Sequence, residues 1–93
     1  MSADTQERND TKPSKPLPGW KVIVHDDDHN TYEHVIKSLM AIIRLNLRTA
    51  YKKTVEVDKQ GLAVVEVTHK EKAELLRDQL QSLGLTSTIE ADE

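Results

Sequence analysis

Three consecutive carboxylates, Asp26, Asp27 and Asp28, are the residues of this chain with the clearest capacity for chemistry. They follow the apolar run at 22–24 and precede a helix start at Asn30. Clustered anions repel one another, so an ordinary strand-to-helix connection does not call for all three, and the cluster is a candidate cation site. Its possible ligands are a metal ion and an ammonium group. The alternative is that all three are solvated turn residues, with Asp28 helping to cap the helix.

A metal site would draw on four neighbouring side chains, namely His25, Asp26, Asp28 and His29. In an extended segment, alternation sends the first and third carboxylates of the run away from Asp27. The run also lacks the glycine that an EF-hand loop needs at its sixth position, and Lys37 stands where that loop places its bidentate glutamate. A metal site is therefore a minor alternative, and the chain is predicted to carry no metal and no cofactor.

An ammonium ligand fits the cluster better. A free α-amino group carries one positive charge and three donors, which adjacent carboxylates satisfy well. The first side chain of such a peptide would need an apolar recess nearby. Tyr32, Val35 and Val57 would line that recess if the first two helices pack beside the acidic run.

Catalysis is not indicated. The chain has no cysteine and therefore no thiol nucleophile, and its serines have no neighbouring pattern of histidine and acid. Ninety-three residues form one small domain with little volume for a deep cleft. The formal net charge of −3 argues against a nucleic-acid binder. With no apolar stretch resembling a signal peptide or a membrane span, the chain is expected to be cytoplasmic.

The chain divides into a tail and one domain. Residues 1–18 hold all three prolines and, after Met1, a single large apolar residue, so they are predicted to form a disordered tail. Residues 19–93 are predicted to form the domain. Phenylalanine is absent, so its core must be built from valine, isoleucine and leucine.

The elements that must position the acidic run follow from periodicity and from capping residues. The predicted order is β-α-α-β-α-β: a strand at 21–25, a helix through 43 opened by Asn30 or Thr31, a helix at about 48–58, a strand at 62–67, a helix through 83 and a strand at 85–90. Asn30 with Glu33, and Thr68 with Glu71, have capping-box spacing, while Gly61 and Gly84 are predicted helix terminators. This order predicts an α+β domain with a small three-stranded antiparallel sheet packed against three helices.

The stretch from Lys21 to Glu33, KVIVHDDDHNTYE, resembles the ClpS adaptor family. The hallmark of that family is a run of Lys-Val, two apolar residues, any residue and Asn-Asp-Asp, followed by a capped helix. Gln60-Gly61 falls without gaps on the Gln-Gly of the family, and Glu71-x-Ala-Glu74 falls on its third helix. The resemblance covers about residues 20–91 and agrees with the predicted fold and tail.

The resemblance implies a function in delivery rather than in catalysis. ClpS-like proteins, here expected to act as monomers, carry substrates with destabilising N-terminal residues to a Clp-type AAA+ unfoldase and its protease. Asp26 and Asp27 fall on the positions that hold the α-amino group, and Asp27 is expected to be exposed, with little effect on stability. The residues that fall on the pocket wall are Tyr32, Val35, Thr54 and Val57. The tail would engage the unfoldase, and Glu71 would contribute to docking on its N-terminal domain.

Five departures from the family pattern bear on this expectation. Asp26 replaces an asparagine, Asp58 replaces the amine-binding histidine, Tyr32 and Thr54 replace methionines of the pocket, and Leu76 replaces a lysine of the docking helix. The Asp58 carboxylate could compensate by contacting the amine itself. Two interpretations stay open: a divergent binder of N-terminal residues, or a regulator that docks on the Clp ATPase without selecting them.

Overall fold

The computed structural model describes residues 19–92. The predicted tail at 1–18 and residue 93 lie outside the described residues. The elements are β1 (Gly19–His25), α1 (Tyr32–Ser38) with a π-helical turn (Leu39–Ile43), α2 (Leu47–Gln60), β2 (Leu62–Thr68), α3 (Lys70–Ser82) and β3 (Thr86–Asp92). This confirms the predicted order β-α-α-β-α-β and the α+β fold class.

The helices begin one residue later than the two predicted capping boxes place them. Thr31, not Asn30, caps α1, and its hydroxyl accepts the backbone N–H of His34 at 3.1 Å. His69, not Thr68, caps α3 through its ring nitrogen. Thr31, the alternative cap, is confirmed. The boxes that start at Asn30 and Thr68 are wrong, because the Asn30 side chain is bound within the acidic run and Thr68 still belongs to β2.

The first two helices are separated by a widened turn. The predicted single helix through residue 43 is α-helical only to Ser38 and then continues as the π-helical turn. Arg44 ends that turn in the left-handed conformation, with φ of 69°. Asn46 caps α2, accepting the backbone N–H of Thr49 at 2.8 Å. Gly61 ends α2 with φ of 91°, as predicted.

The sheet has the antiparallel order β2-β1-β3, so β1 is its central strand. Val22 and Val24 of β1 are almost fully buried, at 0% and 1% exposure, and the helices pack over the face that carries them. The rest of the core is aliphatic, as predicted, with Leu39 of the π-helical turn and Leu80 of α3 among its largest buried side chains.

The fold brings the acidic run to one end of the sheet. His25, the last residue of β1, pairs with Leu62 on one side and with Thr86 on the other. The backbone N–H of Asp26 then donates to the carbonyl of Gly61 at 2.9 Å. The acidic run is therefore fixed next to the C-terminal end of α2 and the first residue of β3. Within residues 19–92, no helix is long and apolar enough to cross a membrane.

Candidate functional site

Asp27 holds the acidic run together. Its Oδ1 accepts the backbone N–H groups of His29 and Asn30, at 2.9 and 3.1 Å. Its Oδ2 accepts the side-chain amide of Asn30 at 2.9 Å and the hydroxyl of Thr86 at 3.2 Å. The same amide donates to the carbonyl of Gly84 at 2.9 Å. Asp27 thus closes a local turn and ties it to the segment that leads into β3.

These hydrogen bonds control the ionisation of Asp27. Burial acts to raise its pKa, but the donors from His29, Asn30 and Thr86 outweigh this effect, so the pKa lies below the ordinary value. The side chain is half-buried. The expectation that Asp27 is an exposed carboxylate is therefore wrong. Because both of its oxygens have structural partners, we expect its removal to lower stability.

Asp58, on the last turns of α2, faces the acidic run from the other side. The Tyr32 hydroxyl donates to Asp58 Oδ2 at 2.6 Å. This hydrogen bond is the main reason that the pKa of Tyr32 rises to about 12. The Tyr32 ring also meets the ring of Tyr51 edge to face, with centroids 6.5 Å apart.

A cavity of about 170 Å³ lies between these two sides. Seven residues predicted as site residues line it together, namely Asp26, Asp27, Tyr32, Val35, Thr54, Val57 and Asp58. The structure thus brings together the amine-binding candidates and the pocket candidates. Sequence reasoning missed Val24 and Leu85, which complete the apolar wall. The alternation in β1 could have suggested Val24. Leu85 lies in the segment between α3 and β3, far in sequence from the acidic run, so no local signal pointed to it.

The inner wall of the cavity is stiff. Val35, Thr54 and Val57 are buried and β-branched, so each has few side-chain rotamers. The Thr54 hydroxyl donates to the carbonyl of Ala50 at 2.8 Å, so its proton is already used in a hydrogen bond within α2. An apolar cavity of about 150 Å³ is enough to bind benzene. The whole cavity, its acidic edge included, has a comparable volume.

The edge of the cavity carries negative charge alone. Asp26, Asp27, Asp28 and Asp58 line it, and among residues 19–92 no lysine or arginine does. The ion pairs found in residues 19–92 lie elsewhere, for example between Lys37 and Glu33. A ligand that pairs an ammonium group with an apolar side chain would match both parts of the cavity.

The geometry also bears on the two alternatives predicted from the sequence, a metal site and solvated turn residues. Across residues 19–92, no three potential ligands are grouped so that they could hold a metal ion. One of the four proposed ligands, His25, already has a partner, because its Nε2 lies 2.7 Å from the hydroxyl of Thr88 on β3. The interpretation as solvated turn residues holds in part, since Asp26 and Asp28 are exposed and Asp27 closes a turn, but Thr31 rather than Asp28 caps α1.

The family model described as "ATP-dependent Clp protease adaptor protein ClpS" matches residues 15–88. The chain belongs to the ClpS family. This confirms the resemblance drawn from the acidic run and its flanking residues. Because the family is described as adaptors of the ATP-dependent Clp protease, this ClpS chain is an adaptor rather than an enzyme.

Individual ClpS proteins match along most of the chain. The adapter protein of Gloeobacter violaceus is 40% identical over 93 residues, covering 99% of each chain. That of Nostoc sp. is 40% identical over 83 residues, covering 88% of this chain and 86% of its own. A solved structure of Agrobacterium tumefaciens ClpS2 bound to L-phenylalaninamide is 26% identical, with a TM-score of 0.80, and covers 83% of this chain and all of that one.

The remaining predicted site residue of this ClpS chain lies away from the cavity. Glu71 is exposed in the first turn of α3. It lines an open cleft together with Lys72 and the exposed Leu75. Leu76, which departs from the family pattern, is only 6% exposed and belongs to the core. The replaced lysine position therefore contributes to packing in this chain, and Glu71 stays a surface candidate.

Proposed function

We propose that this ClpS adaptor binds the free N-terminus of a protein substrate in the cavity and delivers the substrate to a Clp-type AAA+ unfoldase. The α-ammonium group lies at the acidic edge, and the first side chain enters the apolar part. The observation that carries the proposal is the cavity itself, which joins an apolar wall to carboxylates without a cationic partner in residues 19–92.

The three predicted amine-binding residues have different roles in this proposal. Asp26 and Asp58 contact the ammonium directly, because the carboxylate of Asp26 and the Oδ1 of Asp58 accept no hydrogen bond from within residues 19–92. Asp27 is already bound on both oxygens, so it holds the loop in place and adds negative charge. Asp58 thereby takes over the contact that the family pattern assigns to a histidine.

The first side chain is proposed to be large and apolar. The wall residues Val35, Thr54 and Val57 are buried, and the cavity volume suits a leucine or an aromatic ring. The ligand of the Agrobacterium ClpS2 structure, L-phenylalaninamide, joins a phenyl ring to a free α-amino group. That likeness supports the proposal for this chain.

Delivery is proposed to use surfaces outside the cavity. The exposed face of α3 around Glu71 docks on the N-terminal domain of the unfoldase, and the segment at 1–18 engages the unfoldase during transfer. The chain acts as a monomer in the cytoplasm in this proposal. The exposure of Glu71 beside Leu75 supports docking there. The apolar side chain can be buried in the contact, and the charged one can orient the partner.

Fluorescence anisotropy with labelled peptides tests substrate capture. Peptides that begin with leucine, phenylalanine or tryptophan are expected to bind, whereas an alanine peptide and N-acetylated versions bind at least about tenfold more weakly, because each loses the wall contacts or the charged hydrogen bonds. Equal weak binding of every peptide would contradict capture. The chain would then be a regulator that docks on the Clp ATPase without selecting N-termini.

A pull-down with the N-terminal domain of a Clp unfoldase tests docking. Glu71→Ala is expected to weaken the complex, because it removes an exposed carboxylate from the proposed surface. The matched control is Glu90→Ala on β3, which removes an exposed carboxylate from another part of the domain. Complexes of equal strength for both variants would rule out the role of Glu71.

A further inference from the structure

Four exposed side chains form a surface along α2, here called the α2 strip. Leu47, Tyr51 and Asp58 have four- and seven-residue spacing, so they lie on one face of the helix. Tyr32 of α1 joins them, because its ring meets that of Tyr51 edge to face and its hydroxyl donates to Asp58 at 2.6 Å. Leu47 and Tyr51 are 61% and 52% exposed. The α2 strip is therefore an apolar stretch that ends at the acidic edge of the cavity.

The two ends of the α2 strip carry opposite charge. At one end, Asp58 and the acidic run supply the carboxylates of the cavity edge, which outnumber Lys59 in the last turn of α2. At the other end, Arg48 follows Leu47, and Arg44 lies in the turn that precedes α2. Both arginines are exposed and form no ion pair within residues 19–92. Arg48 and Asp58 are separated by about 15 Å along the helix.

This charge pattern matches a second copy of the same chain. When two α2 helices lie antiparallel about a twofold axis, the arginine end of each strip meets the acidic end of the other, and the apolar stretches meet at the centre. Opposite charges then face one another at both ends, and burial of the apolar side chains adds to the attraction. A membrane surface or a nucleic acid matches the arginine end alone, because the acidic end repels a polyanion.

We infer that two copies of this ClpS chain pair along their α2 strips, with Arg48 of each copy beside Asp58 of the partner subunit, and that this dimer is a resting form that excludes substrate. The dimer covers Asp58 and with it the acidic edge of the cavity. The monomer is the form that captures an N-terminus. The effect on capture rests on the proposed function, whereas the dimer itself does not.

Sedimentation velocity over a series of protein concentrations tests the dimer. The chain is expected to shift from monomer to dimer with a dissociation constant of about 10–300 µM, the range of a small and partly polar contact. Added salt weakens the dimer, because exposed charges are screened. A chain that stays monomeric at a concentration of about 1 mM would overturn the inference.

Charge reversal tests the pairing of the two ends. Arg48→Glu is expected to weaken dimerisation by about tenfold or more, because twofold symmetry places the repulsion at both ends of the interface. Asp58→Arg is expected to do the same, and the two substitutions together restore the dimer to within about threefold of the wild type. Lys72→Glu reverses an exposed charge on α3 and is the matched control. If the double variant dimerises no better than the single ones, the pairing of Arg48 with Asp58 is refuted.

An exposed leucine tests the apolar part of the α2 strip. Leu47→Ser is expected to leave the fold intact, because the side chain is largely in solvent, and to weaken the dimer by about fivefold through lost burial. Leu75→Ser is the matched control, since it removes an exposed leucine from α3. A dimer of equal strength in the wild type and Leu47→Ser would place the contact elsewhere and overturn the inference.

A Leu-initiated peptide separates this inference from the proposed function. The free peptide is expected to lower the dimer fraction, and its acetylated form is not. If the free peptide binds but leaves the dimer fraction unchanged, capture stands and the resting form is refuted. If no peptide binds while the charge variants behave as expected, the dimer stands and the proposed function fails.

Discussion

The two sides of the cavity hold their carboxylates in different ways. On the side of the acidic run, Asp27 accepts backbone N–H groups of His29 and Asn30 and the hydroxyl of Thr86. On the side of α2, Asp58 accepts one hydroxyl, that of Tyr32, and keeps its other oxygen free of donors from residues 19–92. One carboxylate is part of the fold, and the other is available to a ligand.

This difference separates stability from binding within one small site. A carboxylate whose oxygens are satisfied by the protein gains little from a ligand, and its loss leaves several donors unpaired. A carboxylate with a free oxygen near an apolar cavity contributes little to folding and much to a cationic ligand. If Asp27 and Asp58 divide the two tasks in this way, substitution of Asp27 changes mainly stability and substitution of Asp58 changes mainly binding.

The largest expected effect is on the stability of Asp27→Ala. The substitution leaves the backbone donors of His29 and Asn30 without their acceptor, so the free energy of unfolding is expected to fall by about 1–3 kcal/mol. Thermal unfolding followed by circular dichroism measures this loss. Asp28→Ala, which removes an exposed neighbour, is the control and is expected to leave the melting temperature nearly unchanged.

Asp58→Asn is expected to have the next largest effect, on binding. Removing the charge weakens a hydrogen bond to an ammonium group, so the affinity for a Leu-initiated peptide falls by about tenfold or more. The melting temperature is expected to change little, because Asp58 is exposed. A large drop in melting temperature with unchanged affinity would reverse the division between Asp58 and Asp27.

The pH dependence of stability sharpens the role of Asp27. Its pKa is lowered in the folded protein, so its contribution is fully present above the unfolded pKa of about 3.9 and is lost as pH falls through the folded value. The difference in unfolding free energy between the wild type and Asp27→Asn is therefore expected to be constant from about pH 5 to 8 and to shrink below about pH 4. Urea unfolding at a series of pH values checks this, and a difference that grows in acid would contradict it.

Tyr32→Phe is expected to have the smallest effect. It keeps the ring against Tyr51 but removes the hydroxyl that orients Asp58. The affinity for free-amine peptides is expected to fall by about threefold, the scale of one neutral hydrogen bond, while acetylated peptides are unaffected. Anisotropy with both peptides measures these affinities. Equal losses of affinity for both peptides would mean that the hydroxyl shapes the cavity and does not act by orienting Asp58.

The order of elements followed from the sequence because local signals agreed with the fold. Gly61 ends α2 in the left-handed conformation, as its type predicts, and β-branched residues form β1 and β2. The capping box at Asn30 failed because its side chain has a tertiary partner, the carbonyl of Gly84, and the box at Thr68 failed because β2 includes that residue. Residue spacing alone could not reveal the partner of Asn30, because it lies 54 positions further along the chain.

The residues that form the site were also predictable in part, because local patterns again agreed with the fold. The acidic run and the periodicity of α1 and α2 placed Asp26, Tyr32 and Val57 together, and the structure does so. The different states of Asp27 and Asp58 were not predictable, since they depend on which donors the fold brings to each oxygen.

The central claim is that a free N-terminus occupies the cavity, and an NMR titration tests it most directly. Amide shifts of ¹⁵N-labelled protein would be followed as a Leu-initiated peptide and its acetylated form are added. The free peptide is expected to shift the amides of residues 24–32, 54–58 and 85, with little change along α3, and the acetylated form to shift none. Equal shifts from both peptides, or shifts confined to α3, would contradict the account.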